Sequence, residues 1–403
     1  MEASIGYLPR HLDASLRSAL AASPIVLLDG ARATGKTTTA TRLAASSVLL
    51  PRDLPLLQAD PGGYLRSLPA PVLIDEWQLA GTDLLWVLKG LVDDDPSPGR
   101  FLLAGSVEPG TYGPTYPLTG RAIAVLMRPM TRAELTGRGG AETWLSRVLR
   151  GEALRPGAGA GTAFNLDALA QSGFPAARLM PDARLFLEAY AALVAQRGGE
   201  EGRDASRLLR AMRVLATLTG QASPDQRIWD AADITKVTWK HYDDLLTRVH
   251  LAAPSPAMHS NRLKRLTAYP KRLLADTALA LALAEVAPAE LRADPTLAGR
   301  YLESFVVQQL RPQADLVAGT LRHVRTSAGE REVDIVIDLG TSIIGLEVKL
   351  GARPSAADAR QIVWLRDQLG ERFRHGFVIH TGAETYPLVD GIWALPLAAV
   401  MGE

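Results

Sequence analysis

The stretch IVLLDGARATGKTT (Ile25–Thr38) decides how the N-terminal part of this chain folds. An apolar run, Ile25–Asp29, leads directly into Gly30-x-x-x-x-Gly35-Lys36-Thr37, and a helical pattern follows. This is the P-loop arrangement, set between a strand and a helix as the pattern requires. Its glycines let backbone N–H groups turn toward a phosphate, and the helix start adds positive potential. Further apolar runs, Pro71–Ile74 and Phe101–Ala104, stop at Asp75–Glu76 and at Gly105–Ser106. Short buried strands ending in polar residues, with helical segments between, predict a parallel sheet whose ligand site lies at the strands' carboxyl ends.

The residue types then assign roles. Lys36 is expected to neutralise β/γ oxygens of ATP, and Thr37 with Asp75 to hold Mg²⁺. Glu76 is placed to orient the attacking water, while Gly30, Arg32, Gly35 and Thr38 complete the nucleotide-contacting set. Ser106 reads either as a γ-phosphate sensor or as a turn serine. Arg121, in LTGR, reads either as an arginine finger acting across a subunit interface of a homo-oligomer or as a surface arginine.

At 403 residues the chain exceeds one ordinary core. Hydrophobic residues make up 47% and charged residues 22%, as in soluble globular proteins. A net charge of +1 provides no global basic field, so any nucleic-acid surface must be local. The absence of cysteine excludes disulfides, thiolate metal sites and cysteine nucleophiles. No signal peptide is visible at the N-terminus. The longest apolar stretch, Ala278 to Ala287, is interrupted by Glu285 and falls short of the ~20 residues of a membrane span. These features predict a cytoplasmic protein that makes no membrane contact.

Linker-like stretches at Arg155–Thr162 and Gln196–Arg203 divide the rest. The expected organisation is an α/β multidomain chain with four parts. These are a P-loop domain over 1–135, a helical lid or linker region over 136–203, a winged-helix-like domain over 204–275 and a nuclease-like α/β domain over 276–403. In the third part, Ile228 to Leu251 reads as two helices around a turn, and NRLKRLTAYPKR after them as a basic hairpin. Lys236, Lys240 and His241 would flank DNA on the second helix, with Arg262, Lys264, Arg265, Lys271 and Arg272 on the hairpin. A hairpin's wet face needs polar residues in any case, so both readings stand. His241 and His250 read as ordinary surface or packing histidines.

Val333–Leu339 and Ser342–Leu350 form a second hairpin around Gly340-Thr341, where glycine suits the first position of a two-residue turn. In that register Asp334 lies opposite Glu347. Strand alternation sends Val333, Ile335, Ile337, Leu339, Ile344, Leu346, Val348 and Leu350 to a core, and Asp334, Asp338, Glu347 and Lys349 to the other face. Opposed carboxylates repel, and a divalent cation, Mg²⁺ or Mn²⁺, would offset that. Asp334 with Glu347-x-Lys349 is the core of the PD-(D/E)xK nuclease pattern, with Lys349 acting on water or phosphate. Glu303 is similar to the additional acid such enzymes place on a helix, and Gln361 would contact substrate. A solvated charged face, with Lys349 screening the acids, is the competing reading.

The segments GARATGKTT, DPGGYL, VLIDEWQL, FLLAGS and LTGR, then Pro129 and Glu134, resemble AAA-type ATPases with a C-terminal DUF4143 domain. SGFP, LTGQ, YPKRLLAD, GRYLESFVVQQL, REVDIVI and LEVKL continue the resemblance, which covers nearly the whole chain in order. It implies an ATPase core, a winged-helix-like middle and a nuclease-fold C-terminal domain. Trp77 stands where smaller aliphatics are usual, and the GGFPE-like motif reads SGFPA. The expected function is ATP binding and hydrolysis controlling a DNA-binding, nuclease-like module. The alternative is a nucleotide-switched regulatory ATPase whose C-terminal domain binds a protein partner and cuts nothing.

Overall fold

A computed structural model of the chain describes residues 6–106, 117–152, 156–157, 163–200, 204–258, 269–326 and 331–402. It divides into two compact units, the first made of Met1–Pro129 with Phe174–Ala176 and Arg248–His250, the second of the remainder.

The first unit is built on five strands: β1 (Ile25–Asp29), β2 (Ser46–Leu49), β3 (Val72–Asp75), β4 (Phe101–Ala104) and β5 (Ala122–Leu126). They pair in the order β2-β3-β4-β1-β5, every pair parallel. Parallel strands need crossovers, here supplied by the helices Lys36–Thr41, Leu54–Ala59, Pro61–Ser67 and Gly81–Asp94. Both faces of the sheet are covered. One carries Ile25, Ile74, Phe101 and Leu103 with Leu84, Leu85 and Leu88, and the other Val26, Leu28, Leu73 and Leu102 with Leu16 and Leu20. Burial on both faces explains why these strands read as continuous apolar runs. β1, between β4 and β5, delivers Asp29 and the P-loop; β4 beside it ends just before Gly105–Ser106, and β3, on the far side of β4, ends at Asp75.

The second unit carries a seven-stranded sheet: β6 (Ala257–Met258), β7 (Thr320–Arg325), β8 (Glu332–Asp338), β9 (Ile343–Lys349), β10 (Phe373–His380), β11 (Tyr386–Val389) and β12 (Ile392–Pro396). The order is β11-β12-β10-β9-β8-β7-β6, with β7, β8 and β9 antiparallel and β9, β10 and β12 parallel. Ile335 faces Leu346 and Ile337 faces Ile344, so the hairpin has the expected register. Gly340 sits at φ +82° in its turn, where a Cβ would be strained.

The competing reading of this hairpin, a solvated charged face, does not hold. Val336, Gly345 and Ile343 share a face with Asp334, Asp338 and Glu347, and that face is not in water. The helix Arg360–Leu369 covers it: Val336, Ile343 and Leu365 pack together, and a Cβ on Gly345 would meet Leu365 and Ile362. The long helix Pro295–Leu316 also lies against β7, β8 and β9. Helices Ala183–Glu200, Ala205–Thr217 and Thr277–Leu283 pack together. Asp276 ties them to the preceding SGFP turn: fully buried, it accepts from Gly173 N (2.7 Å), Ser172 Oγ (3.2 Å), Gln308 Nε2 (3.1 Å) and Leu279 N (2.8 Å). The last of these bonds caps the helix Thr277–Leu283.

After the helices Gln226–Ala231 and Lys236–Arg248, two extended arms pair antiparallel through Ala252 with Leu274 and Ser255 with Lys271. The expected hairpin residues Arg262, Lys264 and Arg265 lie outside the described residues. Lys271 and Arg272 do not form a wet basic stripe. They are 1% and 7% exposed, because both are held by carboxylates: Arg272 donates to Asp243 (2.5 Å) and Asp225 (3.0 Å). No described helix is long and apolar enough to cross a membrane.

Candidate functional site

Gly30 and Gly35 take φ +149° and +93°. At Gly30 even a permissive backbone would not admit a side chain, since a Cβ would lie 2.2 Å from Met127 O just beyond β5. The loop is clamped from behind. Arg10 donates to Thr34 O (2.9 Å) and Arg128 O (2.7 Å), and Asp29 Oδ1 accepts from Gly30 N (2.7 Å). His250 Nε2 donates to the other oxygen of Asp29 at 2.8 Å, so it is not the ordinary packing histidine expected from its sequence neighbours.

Lys36 curls into its own loop, donating to Gly30 O and Ala31 O, both at 2.8 Å. Burial lowers its pKa to about 8, despite the opposing pull of Asp29, Glu76 and Asp75. Thr37 Oγ1 donates to Asp75 Oδ2 at 2.8 Å. Burial raises the Asp75 pKa, with Glu76 adding to it and Thr37 and Lys36 opposing. A hydroxyl and a partly desolvated carboxylate in contact form the hard oxygen set that suits Mg²⁺. Glu76 takes a left-handed backbone conformation (φ +50°), with Gln78 donating to its carboxylate and Arg32 4.0 Å away. Thr38 is exposed beside Thr37. Ser106 Oγ is buried with no hydrogen-bond partner among the described residues. Gly105 before it accommodates Trp77, whose Nε1 would be 2.8 Å from a Cβ there. Arg121 is paired within its own chain, Nε to Asp93 Oδ1 at 2.6 Å.

The second cluster has a different character. Asp334 Oδ2 accepts from Val348 N (2.9 Å), and Lys349 Nζ donates to Glu347 Oε1 (3.1 Å). Glu347 is 6% exposed, and its Oε2 has no partner among the described residues. Burial first, then Asp334, pushes its pKa up to about 8. For Lys349, Glu347 and Asp334 outweigh burial and raise the pKa. Glu303 and Asp334 approach through an intermediary that sequence reasoning missed. Lys271 Nζ lies 2.9 Å from Glu303 Oε1, 3.1 Å from Glu332 Oε1 and 3.6 Å from Asp334 Oδ1. Among the described residues no group of three or more His, Asp or Glu side chains is disposed to hold a metal ion. Gln361 lies in the first turn of the covering helix, its Oε1 buried and unpartnered among the described residues.

Three family models match successive parts of the chain. Residues 22–136 match the AAA domain family, residues 167–290 a domain of unknown function, DUF8612, and residues 298–400 the domain of unknown function DUF4143. The chain thus carries an AAA domain followed by a C-terminal DUF4143 domain. An uncharacterized protein of Mycobacterium tuberculosis and one of Mycobacterium bovis are each 29% identical to it, over 97% of this chain and 84% of theirs. Among solved structures, the Walker-type ATPase of Pyrococcus abyssi is 16% identical, covering 67% of this chain and 94% of that one at a TM-score of 0.41. A Vibrio cholerae protein covers 94% of this chain and 96% of its own, at 11% identity and a TM-score of 0.20.

Proposed function

We propose that this protein binds and hydrolyses ATP with Mg²⁺ at the P-loop, and that nucleotide state switches the activity of its second unit. The observation carrying the first part is the meeting of Lys36, Thr37, Asp75 and Glu76 at the carboxyl ends of β1 and β3. Lys36 leaves its loop carbonyls for phosphate oxygens, and the freed Gly30–Gly35 backbone N–H groups surround the β-phosphate. Thr37 and Asp75 would hold Mg²⁺, which supplies charge neutralisation at the phosphates. Glu76 orients water against the γ-phosphate, and the hydroxyl of Ser106 donates to it. Arg121 would act from a neighbouring copy.

For the second unit we favour partner binding without cleavage. Glu303 and Asp334 of the nuclease-like pattern are already paired with Lys271, and Lys271 and Arg272 are withdrawn from any nucleic-acid surface. DNA contact remains the second reading. It is supported by the exposed Lys236, Lys240 and His241 on one helix.

Glu76→Gln tests the ATPase reading. It keeps the binding groups and removes water orientation, so it should retain ATP while turnover falls at least ~100-fold. Nucleotide identified after rapid gel filtration should then be ATP in the variant and ADP in the parent. Equal turnover in the two proteins would remove Glu76 from the mechanism. DNA incubated with Mg²⁺ or Mn²⁺, with and without ATP, should stay intact, and degradation would restore the nuclease reading.

A further inference from the structure

We propose that Lys271 is the resident cation of the C-terminal carboxylate cluster: its ammonium occupies the position that a divalent metal would need, and the cluster is complete without one. This rests on the non-cleaving reading of the second unit and is independent of ATP turnover.

Lys271 is fixed by its backbone before its side chain is considered. Its N–H donates to Ser255 O and its carbonyl accepts from Ser255 N, both at 2.9 Å, and Ala222 bridges it as well. The neighbouring Arg272 is anchored to Asp225 and Asp243. The ammonium therefore has little freedom to withdraw. It makes three contacts with carboxylate oxygens, contributed by the helix Pro295–Leu316 through Glu303 and by β8 through Glu332 and Asp334. Two of these, Glu303 and Asp334, are acids that a nuclease-like site would present to Mg²⁺ or Mn²⁺. A divalent ion entering there would meet a fixed positive charge within bonding distance of its own ligands.

Charge balance agrees with the geometry. Burial works against the Lys271 charge, but Glu303, Asp334 and Glu332 together outweigh it and hold its pKa above the ordinary lysine value. Burial pushes Glu303 up to about 8, with Lys271 opposing and Asp334 adding. The three carboxylates therefore hold the ammonium in place, and a divalent cation brought to the same oxygens would be repelled by it.

The test is Mn²⁺ titration of the full chain without nucleotide, followed by electron paramagnetic resonance of free Mn²⁺ and by thermal melting. The parent protein should take up no stoichiometric Mn²⁺ sensitive to this cluster, and its melting temperature should not move. Lys271→Met keeps the stem and removes the charge. The variant should gain a site, and Mn²⁺ about 100-fold above its Kd should raise its melting temperature by about 5 °C or more. Adding Glu347→Gln to it should abolish the gain. Should Lys271→Met fail to fold, the parent protein and its Asp334→Asn and Glu347→Gln variants decide alone. One Mn²⁺ per parent chain, lost in either carboxylate variant, overturns the proposal. A folded Lys271→Met that still binds no Mn²⁺ overturns it as well.

Discussion

Replacing Lys36 by methionine removes one buried positive charge from the nucleotide site and leaves most of the side-chain volume. A unit charge about 4 Å from a phosphate oxygen contributes ~4 kcal/mol at an effective dielectric constant of ~20. Not all of this appears as affinity. In the empty loop the ammonium already donates to Gly30 O and Ala31 O at 2.8 Å, and both bonds must be released. At ~1 kcal/mol each, their loss leaves ~2 kcal/mol, or ~30-fold in ATP affinity. Lys36→Met should therefore bind ATP ~30-fold more weakly and lose up to ~10³-fold in kcat/KM, where the full charge term applies. Phosphate release and titration with a fluorescent ATP analogue measure the two effects separately. The pH dependence is a further check. Burial holds Lys36 at about 8, below the ordinary lysine value, and bound phosphate favours its charged form, so nucleotide binding takes up a proton above that pH. The parent's KM for ATP should thus rise ~10-fold between pH 7 and pH 9, and the methionine variant should show no such slope. A variant that hydrolyses ATP within ~3-fold of the parent, or that keeps the pH slope, would refute this account of the loop.

Arg121→Ala should leave ATP affinity unchanged while abolishing any rise in turnover per chain with protein concentration; a parent rate independent of concentration would reduce Arg121 to its pair with Asp93. Asp276→Ala should cost ~3–5 kcal/mol, since it leaves the buried N–H groups of Gly173 and Leu279 unpaired and removes a helix cap. Urea unfolding followed by tryptophan fluorescence checks this, with Asp276→Asn expected to lose less because one acceptor oxygen survives.

How much of this was legible in the sequence depends on whether the physics was local. The P-loop was, because strand, glycines, Lys36 and Thr37 are contiguous, and the reason for Gly30 (Met127 O, 2.2 Å from a Cβ) changes nothing in the pattern. The β8–β9 register was legible too, since Gly340 fixes the turn and the turn fixes the pairing. The burial of its charged face was not foreseen, although a signal existed: Val336 and Ile343 alternate in step with Asp334 and Glu347, and two aliphatics on a supposedly wet face imply a covering element. Lys271 offered no such signal. In NRLKRLTAYPKR it is one cation among several, and only contacts to Glu303, Glu332 and Asp334, all remote in sequence, withdraw it from solvent. His250 on Asp29 and Arg10 behind the P-loop are non-local in the same way.

The two buried lysines illustrate why residue type alone could not separate a working site from a closed one. Lys36 and Lys271 are both nearly inaccessible and both surrounded by oxygen. Lys36 donates to neutral backbone carbonyls, whose attraction does not repay desolvation, so its pKa falls and it gains by exchanging them for phosphate. Lys271 faces carboxylates, whose combined charge exceeds the desolvation cost, so its pKa rises and an incoming ligand has nothing better to offer. The opposite shifts follow from how closely carboxylates approach each ammonium: in direct contact at Lys271, and only at a distance at Lys36. The first cage is built to release its lysine to a polyanion, and the second to retain it. On this argument the nucleotide site should respond to a polyphosphate ligand, while the C-terminal cluster should keep its lysine in place.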